Sequence, residues 1–74
     1  MRLYIFHHTQ DCQDYNEHEV FLDLAAARAR FAEVRQSIGD DVSDVYNEDE
    51  DEFYFETKYT QEKLYITEHD IDNH

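Results

Sequence analysis

Apolar positions in this chain repeat every second residue near its ends and every three to four residues in the middle. Residues 2–8 are rich in strand formers, with Leu3 and Ile5 on one side of the alternation and Tyr4 and Phe6 on the other. They predict a first strand whose Leu3 and Ile5 face the core. Residues 9–19 are polar and aperiodic, which predicts a loop, and residues 20–22 form a short apolar step after it, either a strand fragment or the packed lead-in to a helix. Leu24, Ala27, Phe31, Val34 and Ile38 then make one stripe at three- and four-residue steps, predicting a helix over residues 23–38. Ala25, Ala26, Ala29 and Ala32 raise its helix propensity. Asp23 is placed to cap its first turn, and Gly39, tolerant of positive φ, to end it.

Period two returns beyond Gly39. Residues 42–47 predict a second strand and residues 48–51 an acidic turn. In residues 52–59, Phe53, Phe55, Thr57 and Tyr59 alternate with Glu52, Tyr54, Glu56 and Lys58. Residues 62–67 predict the last strand, with Leu64 and Ile66 inward and Lys63, Tyr65 and Thr67 outward, and residues 69–74 a mobile tail. The expected fold is α+β, in the order β-α-β-β-β, with one helix on one face of a mainly antiparallel sheet and residues 1–74 as a single domain. The expected core is Leu3, Ile5, Phe21, Leu24, Ala27, Phe31, Val34, Ile38, Val42 or Val45, Phe53, Phe55, Leu64 and Ile66. One helix covers one sheet face, so the other is expected to show Tyr4, Phe6, Tyr54 and Tyr65 among charges.

Charge changes this picture. Nineteen Asp and Glu against six Lys and Arg give a formal net charge of −13 in 74 residues. A magnitude of roughly 2–8 is usual for a small domain. Direct binding to nucleic acid or anionic lipid needs a positive footprint, so both are excluded as partners. An aromatic content of 15% sets the chain apart from disordered acidic tails. The acids are not spread evenly. Asp40, Asp41, Asp44, Glu48, Asp49, Glu50, Asp51, Glu52 and Glu56 follow one another with no basic residue among them, and Asp11, Asp14, Glu17 and Glu19 form a second patch. Arg28, Arg30 and Arg35 lie on the helix, off its apolar stripe and expected to face away from the acids. The acidic turn is expected to contribute only self-repulsion to the fold.

Residues on one strand face stand about 6.6 Å apart and neighbouring strands about 4.8 Å. Carboxylates so arranged repeat on the scale of phosphates along a nucleic-acid strand, and Tyr54 supplies an apolar anchor among them. In size, charge and one-helix, one-sheet architecture the chain resembles the small acidic DNA-mimic inhibitors encoded by phages, of the anti-CRISPR or anti-restriction type. The resemblance implies an inhibitor that occupies the positively charged DNA-binding groove of a host effector such as a CRISPR complex. Its binding residues are then the stretch from Asp40 to Glu56, with Asp11, Asp14, Glu17 and Glu19 as the second patch. The alternative is a small adaptor or antitoxin-like module that binds a protein through its helix face or a sheet edge.

Other chemistry finds little support. His7, His8, Asp11, Cys12 and His18 fall close together, but His7 and His8 are adjacent on a strand and point to opposite faces. Their spacing matches no standard zinc pattern. A calcium loop started at Asn47 puts Asp49 and Asp51 in ligand positions, yet Glu52 stands where glycine is required and Lys58 where glutamate is. No metal, cofactor or catalytic residue is expected, and the exposed, mutually repelling carboxylates lack the separated environments of acid–base pairs. With Gly39 the only glycine and no proline, no phosphate-cradling loop forms. A lone Cys12, no signal-peptide pattern and no apolar span lead to the expectation of a cytoplasmic protein, in the host bacterium if phage-encoded.

Overall fold

The computed structural model describes residues 1–11 and 15–71, so expectations for Cys12, Asp14 and the chain beyond Ile71 lie outside the described residues. Five strands and one helix follow in the order β1 (Arg2–Gln10), β2 (Tyr15–Phe21), α1 (Leu24–Ile38), β3 (Val42–Glu48), β4 (Glu52–Thr57) and β5 (Gln61–Asp70), with a 3-10 turn at Gly39–Asp41. The fold is α+β, with α1 packed against one five-stranded antiparallel sheet of order β2-β1-β5-β4-β3. The central pair, β1 and β5, joins the two ends of the described chain: the Ile71 amide donates to the Met1 carbonyl at 2.7 Å.

The helix forms where its stripe and caps place it. The Asp23 carboxylate accepts from the Ala25 amide at 2.9 Å, and Gly39 takes φ +59° just past Ile38. Ala27 and Phe31 are its buried residues. Phe31 packs in one cluster with Phe6, Phe53, Phe55 and Leu64, and Phe21, Val34, Ile38, Val42 and Ile66 lie around the edge. Phe53 and Phe55, two residues apart on one strand face, stack at 4.5 Å, and Phe31 meets Phe6 edge-on at 6.1 Å. Fully burying such a side chain stabilises the fold by about 1.5–3 kcal/mol.

Four sequence expectations need correction. The polar residues 9–19 are not all loop: β1 runs on to Gln10, and β2 occupies Tyr15–Phe21, making the order β-β-α-β-β-β. β2 escapes pattern reading because it is an edge strand whose helix-side residues include Glu17 and Glu19 ahead of the apolar Phe21, with Glu19 neutralised by Arg30 rather than replaced by an apolar side chain. Second, β1 is turned over. Phe6 is buried under the helix, while Leu3 and Ile5 are half-buried on the opposite, open face. Alternation separates two faces without saying which one the helix covers. Third, β4 ends at Thr57, whose hydroxyl accepts from the Tyr59 and Thr60 amides and turns the chain, leaving Tyr59 81% exposed. Fourth, β5 continues through Asp70, so residues 68–70 pair with β1 instead of starting a tail. Of the remaining core candidates, Leu24 is half-buried and Val45 exposed.

Candidate functional site

Asp40 and Asp41 lie exposed in the 3-10 turn, at the end of the sheet where α1 finishes. Seven residues of β3 then carry the chain down the sheet edge, about 20 Å at strand rise, to the turn of Asp49, Glu50 and Asp51. The predicted acidic stretch is therefore split between two ends. At the turn end the acids are tied down. Arg28 Nε and Nη2 donate to the two carboxylate oxygens of Asp51 at 2.9 and 3.3 Å, and Arg28 Nη2 also stands 3.5 Å from Glu50. That fork holds the Arg28 guanidinium above its ordinary pKa, chiefly through the hydrogen bonds to Asp51. Arg35 pairs with Glu48 at 3.2 Å and lies over the Phe53 ring at 4.0 Å. Lys63 reaches Glu52 at 3.7 Å, and the Asp49 carboxylate accepts from the Asp51 amide at 2.8 Å.

These contacts overturn the expectation that the helix arginines face away from the acids. The pairs join residues far apart in sequence, so local charge runs could not reveal them. Arg30 follows the same logic on the other side of the helix, meeting Glu19 at 3.1 Å and Glu33 at 2.9 Å; Glu19, foremost, raises its pKa. Of the second patch, Glu19 is thus committed to the helix, Glu17 is exposed and adds to the field on Arg30, and Asp11 is exposed in the β1–β2 connection.

The other acids are differently placed. Among the described residues, Asp40, Asp41, Asp44 and Glu56 have no Lys or Arg within ion-pair distance. Asp44 and Glu56 are cross-strand partners on the sheet face that the helix leaves open. There Glu56 accepts a hydrogen bond from the Tyr46 hydroxyl at 2.9 Å, which with partial burial keeps that phenol protonated beyond its ordinary range. Tyr46 and Tyr54 lie 5.0 Å apart, Lys63 stands over Tyr65, and Tyr65 stacks on His7 at 4.4 Å. A row of rings thus crosses the open face, acidic toward β3.

The histidines separate as expected and then regroup. His8, on the helix side, bonds Glu62 at 2.8 Å, whereas His7 faces the open side and meets His18 with their Nδ1 atoms 2.7 Å apart. Desolvation, then the His18 and His69 imidazoles, lower the His7 pKa below the usual histidine value. The His7–His18 pairing follows from the β1–β2 register and was hidden while residues 9–19 read as loop. Among the described residues no three His, Cys, Asp or Glu side chains converge on one metal position, and no buried side-chain polar atom lacks a partner. No helix among them is long and apolar enough to cross a membrane. The chain matches no protein-family model, no curated protein and no solved structure.

Proposed function

We propose that this chain is an acidic, nucleic-acid-mimicking inhibitor that occupies the positively charged groove of a DNA-binding effector, of which a CRISPR complex is an example. The observation that carries the reading is the open β3–β4 surface, where Asp44 and Glu56 stand beside Tyr46 and Tyr54 and continue into Asp40 and Asp41. Six basic side chains cannot neutralise nineteen carboxylates, and three of them, Arg28, Arg35 and Lys63, are spent at the opposite end of β3. The field that remains steers the molecule toward a Lys- and Arg-lined groove, and the tyrosines add contact area once it arrives. The adaptor alternative finds its helix arginines Arg28, Arg30 and Arg35 already paired with acids of the same chain.

The test is capture of partners from a bacterial lysate at low salt, with and without competitor DNA. A decoy yields a DNA-binding partner, loses it to competitor DNA, and weakens steeply as salt rises. A partner retained at high salt and indifferent to DNA overturns the reading in favour of an adaptor.

A further inference from the structure

His18, His7 and His69 come from three neighbouring strands, β2, β1 and β5, and share the open sheet face. His7 and His18 are directly opposite each other in the β1–β2 ladder, with facing Nδ1 atoms 2.7 Å apart. The His7 ring is held by its stack on Tyr65, with 9° between the planes. Its Nε2 lies 2.8 Å from Thr67 Oγ1, which lies 2.8 Å from His69 Nε2. A ring fixed on one face and at one nitrogen has a single direction left for its other lone pair, and that direction ends at His18.

Proton placement sharpens the point. With its proton on Nε2, His7 donates to Thr67, and the Thr67 hydroxyl donates onward to His69. The His7 Nδ1 lone pair then accepts from His18 Nδ1–H across 2.7 Å, and a cation that displaces this proton to His18 Nε2 is met by both Nδ1 lone pairs. A hydrogen bond at the far nitrogen is the arrangement that orients metal-ligating imidazoles and fixes their tautomer. Neutral imidazole pairs favour zinc-like ions over magnesium and calcium. A molecule of net charge −13 also concentrates cations at its surface.

We propose that His7 and His18 form a two-imidazole site for a divalent transition metal of the zinc type, oriented by Thr67 and His69 and completed by water. Zinc–nitrogen bonds of about 2.0–2.1 Å at a tetrahedral angle set the two nitrogens about 3.3 Å apart, so the rings part by about 0.6 Å. His18 is exposed on the edge strand and makes that movement without disturbing the core. The bound ion pins β2 to β1.

The untagged protein, carrying Cys12→Ser so that no thiolate contributes, is titrated with ZnCl2 by calorimetry and by NMR of the imidazole nitrogens. One equivalent is expected to bind, with the Nδ1 signals of His7 and His18 shifting together and the melting temperature rising. His18→Gln should weaken binding by tenfold or more, and Thr67→Val by about tenfold through a misoriented His7 ring. Equal zinc affinity in the parent and His18→Gln overturns the proposal. Displacement of zinc by equimolar MgCl2 also overturns it, by marking the acidic surface as the binder.

Discussion

Phe6 carries more of the fold than its place in an alternating segment suggests. Its ring lies under α1 against Phe31, whereas Leu3 and Ile5, its neighbours in the same strand, sit half-buried on the face without a helix. Phe6→Ala is expected to cost about 3–5 kcal/mol as a large-to-small core change, enough to unfold a domain of this size at ordinary temperature. Phe6→Leu keeps most of the volume and is expected to stay folded, at a cost below about 1.5 kcal/mol. Leu3→Ala, half-buried to begin with, should cost about 1 kcal/mol. Urea melts of the three variants rank them. A Leu3→Ala variant as damaged as Phe6→Ala would place the helix on the other side of the sheet.

At the scale of elements, the most legible part of the sequence was α1, because stripe, alanines, Asp23 and Gly39 all point the same way. β4 and β5 were nearly as plain, since Phe53, Phe55, Leu64 and Ile66 alternate with polar residues. β2 was not legible. Only Phe21 at its end packs apolar against the core, while Glu19 on the same face is satisfied by Arg30, and long-range ion pairs leave no mark in hydrophobic periodicity. The same blindness hid the structural duty of the acidic turn, and with it half of the candidate site. The β3–β4 turn is bound to β5 by the Ile66 amide, which donates to the Asp51 carbonyl at 2.9 Å, and closed by the Asp49 amide donating to the Glu52 carbonyl at 2.8 Å. The Arg28 fork on the Asp51 carboxylate holds this arrangement against the helix. Asp51→Asn weakens the charge-assisted fork. Amide exchange at Asp49 and Ile66 should then speed up severalfold while Phe55 and Leu64 stay protected. Arg28→Lys should act alike, because a lysine cannot reproduce the two-pronged contact. Unchanged exchange at Ile66 in both variants would show that the turn holds without the helix.

For the whole molecule, the question is how a chain with net charge −13 divides its carboxylates between holding the fold and serving the proposed binding surface. Glu48, Glu50 and Asp51 are paired with arginines from α1, so their loss exposes unpartnered cations and weakens helix-to-turn packing. Asp40, Asp41, Asp44 and Glu56 have no such partner, and their charges add to self-repulsion. Changing these four to Asn or Gln removes four negative charges and preserves the acceptor oxygens that Asp44 and Glu56 offer to the Val45 amide and the Tyr46 hydroxyl. That variant should melt no lower than the parent. On the proposed inhibitor reading, it should associate with a groove-bearing partner about tenfold or more slowly, with a flatter salt dependence and reduced inhibition. The companion variant, with Glu48, Glu50 and Asp51 neutralised, should melt lower and lose less of its association rate. Melting curves beside stopped-flow association at several salt concentrations separate the two. A folded four-site variant that inhibits as well as the parent would remove the β3–β4 face from the binding surface, leaving Asp11, Asp14 and Glu17 of the second patch to test, Glu19 being held by Arg30.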